Sequence, residues 1–419
     1  MKLGSALLIL GLSIIVLGKP MHPGHIPGDR LIANLTERLK KEPGNTEIYY
    51  LIGRAHYATF SRAVESSWSN KGEVEVYDHH IHELPVFYDI EGSIYPWDSK
   101  TAVKDTPDNR RHIEGAVKSL RTALDMTSRA SKVAKGLEDP GLAHLTLGCT
   151  FESGALLAAK VKLAEPLKNL VTTQQWRLAA ASEYLLAFNS TIDKDRKVRE
   201  EPIFGFQTLV AYEAGLSYLR LQPASKQSKD IRMEIDKLLK LPPPSRITPL
   251  VMDLNESKPL TSLLDSSHPV KFDLDGSARP QTYGWVKPTT AFLVWDPTHE
   301  GAITSGRQLF GNATWWMLWA NAYAALDALD DNRDGWLSGK ELNGLALWYD
   351  RNGNGISDPG EVIAIEKTLI VALRTKFDGR EGNSLVSTQG VRLKDGRKLP
   401  TYDWVTAALI PDEDRKSKR

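Results

Sequence analysis

The stretch that most constrains this chain runs from Asp330 to Glu361 and reads DDNRDGWLSGKELNGLALWYDRNGNGISDPGE. It holds two twelve-residue segments with one order of residue types. In the first, Asp330, Asn332 and Asp334 stand at positions 1, 3 and 5, Gly335 at 6, Trp336 at 7, Ser338 at 9 and Glu341 at 12. In the second, Asp350, Asn352, Asn354, Gly355, Ile356, Asp358 and Glu361 fill the same places. Short oxygen-bearing side chains at alternate positions can wrap one side of a hard cation, and glycine at 6 permits the sharp bend. Position 7 supplies its backbone carbonyl, and the glutamate at 12 closes the sphere with two oxygens. Such donor sets suit calcium, which takes six to eight oxygens at about 2.3–2.6 Å. Acidic, Asn- and Gly-rich runs also form plain turns, but two tandem copies matched at 1, 3, 5, 6 and 12 point to the metal. The expected ligands are therefore Asp330, Asn332, Asp334, Trp336, Ser338 and Glu341, then Asp350, Asn352, Asn354, Ile356, Asp358 and Glu361. The second set carries less charge because Asn354 is neutral.

The first positions of the two loops are 350 − 330 = 20 residues apart. Only Leu342–Tyr349 lies between them, about two turns if helical. One short helix is expected to leave loop one and enter loop two, with Asn312–Leu329 as the helix entering loop one. These residues resemble secreted bacterial EF-hand proteins with dockerin- or hemolysin-type calcium loops, a family of unassigned function.

Val270–Gly311 extends that resemblance. In it an FDxDG segment precedes a strand, then a D-x-N-x-D-G-x-I turn and a Leu-Phe-Gly. Phe272–Gly276, Asp296–Ile303 and Leu309–Gly311 occupy those places. The middle part is eroded: Thr298 stands at position 3, and Arg307 or Gln308 replaces the closing acid. A cation beside Arg307 is disfavoured, so this loop is expected to keep the turn without the ion.

The N-terminal half reads as helical. Asp29 can cap a helix bearing Leu31, Ile32, Leu35 and Leu39, which stops at Glu42–Asn45. Pro43, then Tyr49, Ile52 and Gly53, then Ala116, Leu120 and Ala123, then Pro140, Leu147 and Gly148, then Ala180, Tyr184 and Ala187 resemble degenerate tetratricopeptide repeats. In such repeats small residues let paired helices approach and bulky ones fill the gaps. The insertion at 64–110 carries His79, His80, His82 and Glu83, a possible metal cluster without a defined zinc motif. Cys149, the single cysteine, sits in LTLGCTF as a core thiol.

Ser5–Leu17 is an apolar run after Lys2 and reads as a secretory signal peptide within residues 1–18. With no cysteine nearby, a lipoprotein anchor is not expected, and neither is a stable membrane span after cleavage. A net charge of +1 offers no basis for a nucleic-acid partner.

The expected organisation is a helical domain over 29–241, a Pro-rich linker over 242–269 and a calcium-binding α+β domain over 270–411. A small antiparallel sheet would lie beneath the loops, built from Phe292–Val294, Thr368–Phe377, a hairpin at Val391–Leu399 and Tyr402–Leu409. The expected function is that of a secreted or periplasmic, non-enzymatic calcium-binding protein. Its ions would be mainly structural and its helical half would offer a surface for a protein or peptide. Two alternatives remain. One is a hydrolase, phosphatase-like through Asp273 and Asp275 or metal-dependent through His79–His82. The other is a carbohydrate-binding module using exposed Trp295, Trp315 or Trp316.

Overall fold

The computed structural model describes residues 26–69, 105–130, 136–137, 139–155, 167–200, 210–239, 247–276 and 280–409. The expected signal segment, the His79–His82 run and the prolines at 242–244 lie outside the described residues. The N-terminal half is helical: α1 Gly28–Lys41, α2 Thr46–Ser69, α3 Pro107–Ser128, α4 Pro140–Gly154, α5 Thr173–Glu200, α6 Val210–Leu221 and α7 Ser228–Leu239. Local chemistry sets the starts. Thr106 accepts from the Asn109 amide with Pro107 following, and Asp139 accepts from the Gly141 amide with Pro140 following.

Each helix packs on the next along the chain. The expected small-residue contacts exist as close approaches. A Cβ on Gly53 would meet the Leu120 side chain at 2.6 Å, and one on Gly148 the Tyr184 ring at 2.5 Å. A regular repeat is not shown, because the helices run from 12 to 28 residues.

The C-terminal half is an antiparallel sheet. Its strands are β1 Leu250–Met252, β4 Ala291–Trp295, β5 Trp336–Ser338, β6 Leu345–Trp348, β7 Val362–Ala364, β8 Ile370–Arg374, β9 Gly379–Glu381, β10 Ser384–Leu393 and β11 Lys398–Asp403. They lie in the order β5-β8-β10-β11-β1-β4-β6-β7, with β9 beside β10. A separate ribbon pairs β2 Leu264–Phe272 with β3 Gln281–Val286. Short helices α8 Leu260–Leu263 and α9 Ala322–Asp327 complete the described elements. Residues 250–269, expected to be linker, thus supply β1 at the middle of the sheet, α8 and most of β2.

Both faces of the sheet centre are buried, which explains its unbroken apolar runs. Val251, Phe292, Val294, Ala346 and Trp348 face the ribbon residues Val270, Phe272, Tyr283 and Trp285. Leu250, Met252, Ala291, Leu293, Trp295, Leu345 and Leu347 join a second cluster with Phe310, Trp315 and the helical half. One core therefore runs from the helices into the sheet.

Two helical expectations are corrected here. The link Leu342–Tyr349 is a strand, β6, pairing with β4 and β7. Its LALW run alternates between the two cores, and a short apolar run buried on both sides has no period to separate strand from helix. The expected helix Asn312–Leu329 is broken. A 3-10 turn spans Thr314–Trp316, and Trp315, Trp316 and Leu318 take φ of 51°, 56° and 60°. Helix resumes only at α9, where Asn321 accepts from the Ala324 amide. The final strand β11 ends at Asp403, short of the expected Leu409. Among the described residues no helix is long and apolar enough to cross a membrane.

Candidate metal centre

Both loops are built by closely similar hydrogen bonds. In loop one, Asp330 accepts from the Arg333 amide at 2.6 Å and the Gly335 amide at 2.8 Å. Glu341 reaches back across the loop and accepts from Asp331 at 2.9 Å and Ser338 at 2.9 Å. In loop two, Asp350 accepts from Asn354 at 3.1 Å and Gly355 at 2.8 Å, and Glu361 from Arg351 at 2.8 Å and Asp358 at 3.1 Å. Position 12 thus accepts from the amides of positions 2 and 9 in each copy, while position 1 shares the amide of position 6 and differs in its second partner, position 4 in loop one and position 5 in loop two. Asn332 and Asn352 each accept from the amide two residues on. The backbone bends alike: position 4 has φ of 60° at Arg333 and 67° at Gly353, and position 6 has 85° at Gly335 and 72° at Gly355.

The third, eroded loop keeps this frame. Asp296 accepts from Glu300 and Gly301, both at 3.1 Å, and His299 and Gly301 carry the positive φ of positions 4 and 6. Its position 12, Arg307, points away. The guanidinium donates to the Gly276 carbonyl at 2.7 Å and stacks over Trp316 at 4.9 Å.

The electrostatics mark the two complete loops. Asp330 is 3%, Glu341 6%, Asp350 0% and Glu361 5% exposed. None of the four has a Lys, Arg or His within ion-pair distance among the described residues. Burial holds Asp330 and Asp350 above the usual carboxylate range, and the neighbouring glutamate adds to the rise in each. Buried charges are ordinarily paired or bound to metal. Among the described residues no three His, Cys, Asp or Glu side chains converge as a metal cluster. Each loop presents two buried carboxylates plus neutral oxygens: Asn332, Ser338 and the Trp336 carbonyl in one, Asn352, Asn354 and the Ile356 carbonyl in the other. Asp334 and Asp358 stand toward the rim. A donor set of that mixture fits an oxygen-seeking divalent cation, not a thiolate- or imidazole-seeking one.

Elements outside the loops position them, and these supports are invisible in the motif. Trp285 Nε1 donates to Asp350 at 2.7 Å from inside the aromatic cluster of Phe272, Phe292 and Trp348. Gly355 lies against β2, where a Cβ would meet Val270 at 2.5 Å. Loop one is gripped instead by α1 through Arg30 and Asn34, and Arg38 reaches Asp327 in α9 just before it.

The residues of the alternative readings are placed elsewhere. Asp273 is buried and accepts from the Ser305 hydroxyl at 2.7 Å, while Asp275 accepts from Gln281 at 2.8 Å. They sit on an antiparallel ribbon, not at the end of a parallel α/β sheet. Trp295, Trp315 and Trp316 are buried in the core and form no exposed row. Burial pushes the Cys149 thiol up to about 11, in keeping with a packing role.

Comparison with known proteins finds a family model that matches the sheet half. Residues 250–407 match the family model described as the SPM domain. The chain is also 28% identical over 170 residues to the iron-regulated protein FrpA of Neisseria meningitidis serogroup C, a match covering 38% of this chain and 15% of that protein. No EF-hand, dockerin or tetratricopeptide family matches. The expected membership among EF-hand and tetratricopeptide proteins is thereby corrected. The loops carry the ligand order of that family without its flanking helices. A twelve-residue metal motif reports local donor chemistry and not the fold around it.

Proposed function

We propose that this chain is an exported calcium-binding protein whose two loops, Asp330–Glu341 and Asp350–Glu361, hold ions with a mainly structural role. The observation that carries this reading is the burial of four carboxylates, two per loop, with no ion-pair partner for any of them among the described residues. Asp330, Asn332, Asp334, the Trp336 carbonyl, Ser338 and Glu341 would hold one ion. Asp350, Asn352, Asn354, the Ile356 carbonyl, Asp358 and Glu361 would hold the other. A bound cation supplies the countercharge these carboxylates lack and fixes the ends of β5, β6 and β7. Calcium outside the cytoplasm is abundant enough for loops of modest affinity. The helical half is left as the surface for a protein or peptide. Its exposed Leu178 and Leu186 lie about two turns apart on α5.

Calorimetric titration tests the central claim. Wild type should take up two calcium ions, and Glu341→Gln and Glu361→Gln should each take up one. The melting temperature should rise with free calcium, because a ligand held only by the folded state stabilises it. An absence of heat and of any thermal shift in wild type would overturn the reading.

A further inference from the structure

We propose that loop one is a calcium-dependent latch for the helical half, so that ion binding there and docking of α1 form one coupled equilibrium. Loop two, by contrast, is an independent staple of the sheet. This rests on loop one holding calcium as proposed above.

The contacts of α1 fall on the loop itself. Arg30 donates to Asp331 at 2.8 Å, to the Leu329 carbonyl at 2.6 Å and to the Glu341 carbonyl at 3.4 Å. Asn34 donates to Asp331 at 2.8 Å and to the Ala328 carbonyl at 3.0 Å. In return, Arg333 donates to the Asn34 carbonyl. The helix therefore touches the two residues before position 1, then positions 2, 4 and 12, and none of these bonds uses a ligand side chain.

Two of the contacts bear directly on ligand geometry. Asp331 is held through its side chain by Arg30 and Asn34, while its amide donates to Glu341 Oε1 at 2.9 Å. The residue that α1 fixes is thus one of those that aim the closing glutamate, beside Asn332 and Ser338. Arg333 occupies position 4 with φ of 60°. For a residue with a Cβ that conformation is strained, and the bond to Asn34 helps to offset it. Loop two has Gly353 at the same place and requires no such support.

The contrast with loop two is complete among the described residues. Its hydrogen bonds run to Trp285, to Ile303, to Tyr349 and within the loop, and none reaches a helix of the N-terminal half. The seam beside loop one is also not closed by packing. A cleft of about 430 Å³ runs along it, lined by Arg38, Lys41, Trp319, Arg333 and Lys376 among others. Beside the shared apolar core, α1 meets this end through polar clamps whose geometry the loop conformation sets. Coupling between two such sites is reciprocal: whatever docking adds to ion affinity, the ion adds to docking.

The test separates the loops by background. In Glu361→Gln, where only loop one is intact, Arg30→Ala with Asn34→Ala should weaken calcium binding about tenfold, within the usual range of coupling between sites. In Glu341→Gln the same pair should leave loop-two affinity unchanged, which also reports that the double variant folds. As a second readout with the clamp intact, hydrogen exchange of residues 28–41 should slow on adding calcium to Glu361→Gln and stay unaltered in Glu341→Gln. Unchanged loop-one affinity in the double variant, or α1 protection indifferent to calcium in Glu361→Gln, overturns the latch while leaving the calcium reading standing. Absence of calcium binding in both single variants and in wild type removes the two together.

Discussion

Asp403 is a carboxyl enclosed at the end of β11, 2% exposed, accepting from the Ala322 amide at 3.2 Å. Burial pushes it up to about 7 from an ordinary 3.8. His56 is displaced in the opposite sense. Burial, then the adjacent His112, brings it down to about 4, and the two rings face each other Nδ1 to Nδ1 at 3.0 Å. Asp29, Asp108 and Arg111 crowd the far side of His112. The signs follow from proton uptake. As pH rises from 3.8 to 7, unfolded Asp403 ionises while the folded group resists, so stability falls by up to roughly 4 kcal/mol. As pH falls from 6.5 to 4, unfolded His56 takes up a proton that the folded ring refuses, so stability falls by roughly 3 kcal/mol. The two slopes oppose each other across nearly one window. Asp403→Asn should therefore match wild type at pH 4 and exceed it by a few kcal/mol at pH 8. It should also expose the histidine-driven loss on acidification. Urea denaturation of both proteins from pH 4 to 8 measures this, and equal stability at pH 8 would refute it.

At the scale of elements, the two loops share a backbone frame and differ in what stands behind it. Gly335 has φ of 85° and open space around its missing Cβ. Gly355 has φ of 72° and Val270 Cγ1 at 2.5 Å with the Lys271 carbonyl at 2.9 Å. Gly335→Ala should cost about 1–2 kcal/mol, the strain of a left-handed residue alone. Gly355→Ala should cost more, because β2 must also shift. Thermal melts in chelator compare the two without any ion, and equal losses would contradict the packing difference. The shared bend of the two segments was legible in the sequence because the glycine at position 6 and the glutamate at position 12 are local requirements. What flanks them was not. LALW carries no period, since Leu345 and Leu347 face one core and Ala346 and Trp348 the other. The helical spacing of Trp315, Trp319 and Leu326 is real, yet Trp315, Trp316 and Leu318 lie at positive φ and the helix does not form there. Arg30, Asn34 and Trp285 are separated from the loops they support by long stretches of chain, and nothing local marks them.

Across the whole molecule, the helices and the sheet are stitched by more than surface contact. Arg54 of α2 is 2% exposed and gives both Nε and Nη2 to the Trp316 carbonyl, at 3.1 and 2.7 Å. It holds the strained Trp315–Leu318 segment from the helical side. Removing its guanidinium leaves that carbonyl buried without its donors, a loss on the order of 2–3 kcal/mol. With one core cluster spanning Leu31 to Leu399, the chain should melt in a single calorimetric transition with calcium present. Arg54→Met should lower its temperature without splitting it, and two separate transitions in wild type would show that the halves fold independently.

The sheet closes at both ends with three-residue strands, β5 and β7. β5 occupies positions 7 to 9 of loop one, and β7 begins directly after position 12 of loop two. A long, flat outer strand is a template on which another chain can add itself. Here the chain turns away at each border within three residues, where the fold commits its backbone to loop geometry. The loops proposed to hold an ion thus also deny a neighbouring molecule the row of unpaired amides it would need to extend the sheet. The edge of the sheet and the bend of the loop are thereby written into one piece of sequence at each margin.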